Sequence, residues 1–541
     1  MRKTQQFKPV LMALLAAGMI SGSGYGQAGE RESLEQLRTT TLSLIDMLVK
    51  EGVLSKANAD NLVKQAQETR QPAAEQSQAE GSSAMADTGP DNRVPAKTDN
   101  VVRVQYVPEF VKNQLRDEIK KDVMAKLNYK AGERLGLPDW LDRITLEGDL
   151  RLRYELDSFP SNGNTPPGVL RTVEDRNTII DNTSEDRERF RVRARLGANI
   201  KFTDWLNGGI RMTTGRVDDP VSPNQTLETA DSKFSFALDR AYLKATPYPW
   251  LSVNGGRFAN PFFSTDLVWD PDLAFDGVAT TFKPRFNDSW SAFGTVGAFP
   301  IDEVNSSDTN KARDKWLYGG QAGIEWTSPN SSTVKLGVAL YDYKNVEGVS
   351  NPIGQTSFNG TVPAFRQKGN STFSIDANNN NDCGNGGPCG LASEFRELNL
   401  TGQVDLATFD PVHVILTGDY VRNLGFDEQN IARRTGLPVG AYKKENEAYQ
   451  VRLSVGMRDT LKRNDWQVFG AYKRLEADSV LDAFTDSDFH LGGTDAKGWI
   501  LGGSYGLDKN VWTQLRWFSS DAISGPPLSI DVLLLDFNAK F

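Results

Sequence analysis

The sequence predicts an all-β transmembrane barrel of about sixteen antiparallel strands, preceded by a periplasmic α-helical or coiled-coil region. Three observations carry this. From Ile144 onward apolar and polar residues alternate with a period of two through one segment after another. The connections between those segments are alternately long and short, and the chain ends on an alternating segment whose last residue, Phe541, is aromatic.

Composition narrows the alternatives. The 541 residues carry 61 Lys and Arg against 70 Asp and Glu, a formal charge of −9, with 48 Gly, 27 Phe, 14 Tyr and 11 Trp. Mean hydropathy is −0.46, and no charge-free apolar run approaches the ~18 residues of a spanning helix, which excludes a helical membrane bundle. The acidic balance and the lack of long Lys/Arg runs argue against nucleic acid as a partner. Two His and two Cys leave almost nothing for a classical metal site, and no cofactor is expected.

Residues 1–26 read as a signal peptide: Arg2, Lys3 and Lys8 form a basic start, VLMALLAAGMI is apolar, and GSGYGQA supplies small residues for cleavage. Residues 27–69 read as a helical hairpin or coiled coil, because Leu34, Leu37, Thr41, Leu44, Ile45, Leu48 and Val49 share one helical face. Gly52 then breaks the run and Ser55 can cap a second helix. The stripe fits either a helix pair without partner or self-association. Residues 70–100, rich in Gln, Ala, Ser, Gly, Asp and Pro, read as a disordered linker. Residues 101–143 hold a short strand, VVRVQYVP, and a periplasmic helix, EFVKNQLRDEIKKDVMAKL.

The barrel occupies residues 144–541. In ITLEGDLRLRYEL, Ile144, Leu146, Leu150, Leu152, Tyr154 and Leu156 share a face opposite Thr145, Glu147, Asp149, Arg151, Arg153 and Glu155. The next strand is sharper: Phe190, Val192, Ala194, Leu196, Ala198, Ile200 and Phe202 alternate with Arg189, Arg191, Arg193, Arg195, Asn199 and Lys201. Four arginines in register need water or counter-charges, and the apolar row opposite needs lipid or core. Strands are expected at 144–156, 187–203, 206–217, 234–246, 250–258, 276–284, 289–300, 316–327, 332–344, 394–407, 411–423, 446–459, 464–477, 497–507, 510–520 and 529–541. The short turns TDWLN, TPYPW, PRFNDS, TSPNS, TFDP, RNDW and LDKN would be periplasmic. An even strand number then puts both barrel ends on the side where the helical region lies.

Phe202, Trp205, Tyr248, Trp250, Trp316, Trp326, Tyr420, Trp466, Trp499, Trp512 and Trp517 fall near strand ends, where a ring meets the membrane interface. The last strand, with Phe537 and Phe541 on one face, has the form of the C-terminal signal read by the barrel-assembly machinery of Gram-negative outer membranes. Cys383 and Cys389, in CGNGGPC, favour a disulfide in an oxidising compartment, with two loop thiols as the alternative.

The stretches VRVQYVPEFVKNQLRDEI, LPDWLDRITLEGDLRLRYE, LDRAYLKATP and GRFANPFFSTDLVWDPDLAFDGVA, together with Phe541, resemble the putative-porin family of Gram-negative outer-membrane proteins. The resemblance covers essentially the whole mature chain. It implies a barrel and a pore in the outer-membrane lipid, passing small hydrophilic solutes by passive diffusion, but no defined solute. By analogy with sixteen-stranded porins it implies a homotrimer.

In such a pore the third long loop folds inward. Here that loop is RFANPFFSTDLVWDPDLAFDG, with Asp266, Asp270, Asp272 and Asp276, and with Phe262, Phe263 and Trp269 to pin it to the wall. Facing it, Arg189, Arg191, Arg193 and Arg195, helped by Arg211 and Arg153, would set up a transverse field that orients dipolar solutes, with anions such as carboxylates or phosphate preferred where the arginines dominate. The alternative for the arginines is pairing with Glu147, Asp149 and Glu155 on the neighbouring strand, which makes a rigid wall rather than a filter. The alternative for the aspartates is hydrogen bonding to their own loop.

Two other function classes compete. A barrel enzyme would need a nucleophile or acid beside a histidine; His490, near Asp486 and Asp488, is the one candidate for an outer-rim site, and His413 lies by a short turn at the wrong end. A structural anchor would use the N-terminal helices to reach peptidoglycan. The weight of the pattern favours the pore, with no enzymatic activity.

Overall fold

A computed structural model describes residues 140–541 apart from 161–163, 166–181, 228–229, 378–382 and 384–386. The predicted signal peptide, helical hairpin, linker and most of the 101–143 segment lie outside the described residues.

A single turn of 3-10 helix, Leu141–Arg143, leads into β1 (Ile144–Ser158). There follow β2 (Arg187–Lys201), β3 (Leu206–Thr213), β4 (Gln225–Thr226), β5 (Ala237–Tyr248), β6 (Leu251–Ala259), β7 (Ala274–Phe282), β8 (Trp290–Asp302), β9 (Lys315–Thr327) and β10 (Thr333–Lys344). A small hairpin, β11 (Thr372–Ser374) with β12 (Cys389–Leu391), stands apart within the loop after β10. The wall resumes with β13 (Arg396–Phe409), β14 (Val412–Asn423), β15 (Glu447–Gly456), β16 (Trp466–Leu475), β17 (Ala496–Asp508), β18 (Val511–Ala522) and β19 (Ser529–Lys540). Leaving out the two-residue β4 and the detached hairpin, sixteen antiparallel strands form the sheet, and β1 pairs with β19 from Asp149↔Lys540 to Ser158↔Asp531 to close it. Closure leaves no sheet edge, the condition for backbone to cross a bilayer as strands.

Alternation decides which face meets which solvent. On β1, Leu146, Leu150 and Leu152 are 63%, 55% and 58% exposed, whereas Arg153, Glu155 and Asp157 are 2%, 3% and 1% exposed. The leucines point out to lipid and the charges point into the lumen. A Lys or Arg on the outer face at the bilayer midplane would cost about 2–4 kcal/mol, so a one-residue slip of register is forbidden. Outward aromatics gather near both rims. Tyr248, Trp250 and Phe282 stack in series at the short-turn end, and at the long-loop end Tyr472 meets Tyr449 at a tilt and Trp499 edge-on.

The buried apolar residues form no layer between sheets. They lie inside the barrel, where loops fold back between the walls: Phe262, Trp269, Phe275, Phe299, Leu317, Tyr341, Leu481 and Phe489 belong to one cluster. The structure departs from the expected strand bounds where this happens. The strand expected at 206–217 stops at Thr213, because Gly215 adopts φ +110° and turns the chain into the lumen. The chain returns as β4, which pairs Gln225 with Val192 and fills the gap that β3 leaves beside β2. The loop after β14 carries a helix, α1 (Glu428–Thr435), capped by the Asp427 carboxylate, which accepts from the Gln429 and Asn430 N–H groups, and ended by Gly436 at φ +74°.

At the seam, Gly148 and Phe541 exchange two backbone hydrogen bonds of 3.0 and 3.2 Å, and the Phe541 ring lies over Gly148. A Cβ at Gly148 would stand 2.5 Å from Phe541 Cζ and 2.9 Å from the Arg195 carbonyl oxygen, whereas one at Gly418 would meet nothing within 4 Å. Gly148→Val is therefore expected to destabilise the closed barrel by about 1–3 kcal/mol, and Gly418→Ala to leave it unchanged. Heat-modifiable electrophoretic mobility across a temperature series measures both.

Candidate functional site

The lumen is organised by the register of β1 against β2. That register sets Glu155 opposite Arg189 and Asp149 opposite Arg195, but Arg151 opposite Arg193 and Arg153 opposite Arg191. Like charges directly opposite are destabilising, so the middle of this wall must draw carboxylates from elsewhere. Arg153 takes Asp536 of β19 at 2.7 Å and Asp488 of the 476–495 loop at 2.8 Å. Arg193 takes Asp149 at 2.9 Å and Asp272 of the 260–273 loop at 3.4 Å. Arg195 shares both, at 2.7 and 2.9 Å. Arg191 pairs with Glu155 at 3.0 Å, and Arg189 binds Glu155 and, at 2.9 Å, Asp157. Each ladder arginine from 189 to 195 is thus paired with the neighbouring strand, and Arg193 and Arg195 also ion-pair with the 260–273 loop.

The 260–273 loop crosses the lumen to reach them. Gln321 on β9 clamps its main chain, accepting from the Phe263 N–H and donating to the Phe263 carbonyl, each at 2.7 Å. Thr265 donates to Asp419 of β14 at 2.6 Å. Asp266 binds Lys473 of β16 at 3.1 Å and accepts from Gln450 of β15 at 2.7 Å. Asp270 accepts from the Ser487 N–H at 3.0 Å. Phe262 and Trp269 pack edge-on against Tyr341, and Phe263 against Phe293 under the Lys335 ammonium.

The 476–495 loop completes the constriction, a contribution that sequence reasoning missed. Asp486 lies 3.3 Å from Lys473, and Asp488 bridges Arg153 to Arg516 of β18. Gln367, from the loop between β10 and β13, donates at 2.9 Å to the carbonyls of Asp482 and Thr485. Burial pushes Asp266, Asp272 and Asp488 up, but their cations prevail and hold all three below the usual carboxylate range. Burial wins at Asp270, which Asp486 and Asp272 drive further upward, and at Asp486, where Lys473 opposes it without overcoming it.

Between these groups lies a cavity of about 510 Å³ bordered by Arg151, Arg193, Arg452 and Arg516 on the wall side and by Asp266, Asp270, Asp272, Asp486 and Asp488 on the loops. A second polar cavity, of about 470 Å³, runs along Arg187, Arg189 and Arg191, and Ser487 borders both. Two of the arginines differ from the rest. Arg151 donates only to the Asn224 side chain, at 2.5 Å, and Arg452 lies 3.7 Å over the Phe469 ring; neither makes an ion pair among the described residues.

Several expected site residues stand elsewhere. Asp276 is half-exposed and bound to Arg257 at 2.6 Å on the adjacent strand, outside the constriction, because β7 begins before it. Arg211 is paired with Asp239 on β5 and borders neither cavity. Arg153 is sealed behind its two carboxylates. His490 is buried with its Nδ1 2.9 Å from Ser520 Oγ, while Asp486 and Asp488 turn away to Lys473 and Arg153, so the rim trio considered for an enzyme is not assembled. His413 is buried 2.6 Å from Asp405 near the short turns. Cys383 and Cys389 are joined as a disulfide. Among the described residues no cluster of His, Cys, Asp and Glu could hold a metal ion.

The profile of a family described as "Putative porin" matches residues 38–541. No individually curated protein matches the chain significantly. Among solved structures it is similar to OprB of Pseudomonas putida, with 12% identity over 74% of this chain and 96% of that one, at a TM-score of 0.42. It is similar also to the outer membrane channel DcaP of Acinetobacter baumannii, with 11% identity over 74% and 97%, at 0.40. OmpF of Salmonella typhi, solved with daunomycin, gives 12% identity over 74% and 97%, at 0.39.

Lys473 is fully buried between Asp266 and Asp486 and ties both loops to the wall. Removing its charge strands two carboxylates in the interior, a loss of about 3–5 kcal/mol. Lys473→Met is expected to free the loops, seen as faster proteolytic cleavage within 260–273 and a lower Tm than the parent protein in the same detergent.

Proposed function

The chain belongs to the putative porin family, and from that premise we propose that it forms a water-filled outer-membrane channel for passive diffusion of small hydrophilic solutes, with a preference for anions. The observation that carries the reading is the pair of polar cavities along the arginine ladder, meeting at Ser487 and walled on both sides by charged side chains. Water and ions fill such a space readily, whereas an apolar lumen would stay dry.

The preference rests on a balance of paired and unpaired charge. The ladder arginines are largely neutralised by Asp149, Glu155, Asp157 and Asp272. What remains to face a passing ion is Arg151 and Arg452, whose guanidinium groups border the cavity without a carboxylate partner. On the opposing side the carboxylates of Asp266, Asp486 and Asp488 are already bound to cations, and Asp270, which has no cation among the described residues, is pushed toward its neutral form by burial and by Asp486 and Asp272. An anion meets two free guanidinium groups and committed acids, which favours carboxylates or phosphate over cations.

Single-channel recording in a planar bilayer tests the channel itself: discrete conductance steps are expected, and a folded, inserted protein that stays electrically silent would sink the proposal. Under a salt gradient the reversal potential should have the sign of anion preference. Each unit of charge near an ion contributes about 1 kcal/mol at contact distance in water, so Arg151→Glu or Arg452→Glu should lower the anion-to-cation permeability ratio about fivefold or more. Arg191→Glu should shift it less than either, because Arg191 is already engaged.

We propose further that three barrels associate in the membrane. Support comes from the outward surface of β13 and β14, where Gly402 pairs directly with Gly418 and leaves a gap in the outward row of large side chains. Unboiled electrophoresis after cross-linking should give a species of three times the monomer mass, reduced by Gly418→Phe; a monomer alone would refute it.

A further inference from the structure

The 260–273 loop has two chemically distinct sides. Asp266, Asp270 and Asp272 border the pore cavity, while Trp269 and Leu273 border a separate cavity of about 300 Å³ between the loop and the wall. The pore reading makes no use of this second space. Its walls are apolar, formed by Phe275, Phe299 and Leu317 on the barrel and by Leu481 and Phe484 on the 476–495 loop. Its size is at the lower end of the range for small-molecule sites, about 300–1,000 Å³.

Its few polar groups are unevenly matched. Asp218, Asp219, Asp276, Asp302 and Asp482 border it, against Arg257 and Lys315 as cations. Both cations are committed, Arg257 to Asp276 at 2.6 Å and Lys315 to Asp302 at 3.0 Å and the Val362 carbonyl at 2.8 Å. Asp218 is held by Arg216, and Asp219 accepts from the N–H groups of Val221 and Ser222. Asp482 is the exception. It is 2% exposed, its backbone N–H donates to Asn370, and its Oδ1 has no hydrogen-bond partner among the described residues.

A buried carboxylate oxygen without a donor is unfavourable, and water or a ligand normally satisfies it. Burial pushes the Asp482 carboxyl up to about 6, against the opposing field of Arg366. A cationic donor entering the cavity would reverse that shift and complete the missing bond. The apolar walls meanwhile ask for a hydrophobic body attached to the cation, with aromatic faces at Trp269 and Phe299 suited to an aromatic ring.

We propose that this cavity is a binding site for a small amphipathic amine, with its ammonium group on Asp482 and its ring against Trp269, Phe299 and Leu317. The site is separate from the pore, and it stands whether or not the barrel conducts.

The test is calorimetric titration of the full chain in detergent with phenethylamine, and in parallel with phenylacetate, which has the same ring and the opposite charge. Saturable one-site binding of the amine is expected, with no binding of the acid. Asp482→Asn should weaken the amine at least tenfold, and Ala483→Leu, which fills the space from its buried lining position, should abolish binding. Absence of amine binding, equal binding of the acid, or binding unchanged in both variants would overturn the proposal. Should Asp482→Asn lose its heat-modifiable folded form, the Ala483→Leu variant and the amine-to-acid comparison decide the matter alone.

Discussion

The constraint on which the rest of the lumen depends is the juxtaposition of like charges across the β1–β2 ladder. Antiparallel pairing places Arg151 against Arg193 and Arg153 against Arg191, and the lumen-facing arginines of the two strands outnumber the carboxylates Glu147, Asp149, Glu155 and Asp157 that share their face. The deficit is met from three directions: Asp536 from the strand on the far side of β1, Asp272 from one loop and Asp488 from another. The loops therefore enter the barrel for an electrostatic reason as well as an apolar one. A wall of balanced charge would have held no such attraction, and the channel would have been wider and less structured.

Much of the architecture is readable from residues alone because a barrel is written in a local code. Each strand's alternation depends only on its own residues, and the short turns announce themselves by Asn, Asp, Pro and Trp. The strands expected at 316–327, 332–344 and 411–423 lie close to Lys315–Thr327, Thr333–Lys344 and Val412–Asn423. Helix α1 was equally legible in principle: Asp427 before EQNIARRT and Gly436 after it are a cap and a stop, although a loop between strands gives little reason to look for a helix.

The site was legible in part. The basic ladder and the acidic third loop stand out in the sequence; Asp266 and Asp272 bind cations of the wall, whereas Asp270 takes the Ser487 N–H of the other loop. Nothing local distinguishes Asp276, which β7 absorbs into its own ladder, from Asp272, four residues before it in the same acidic stretch. Nor does alternation say which arginine lacks a partner. Arg151 is free of carboxylates because the acids that could reach it are taken by Arg153, Arg193 and Arg195, a competition settled only by long-range register. The role of Lys473 and of the 476–495 loop is invisible for the same reason, since it links residues far apart in the chain.

The Gln321 clamp has a different kind of consequence. Its amide grips the N–H and the carbonyl of residue 263, groups that every amino acid except proline possesses. This part of the anchoring is thereby indifferent to the side chain at residue 263, whereas Thr265, Asp266 and Asp272 hold the loop through their own side chains. The cavity lining can therefore change at position 263 while the main chain keeps the loop in the lumen.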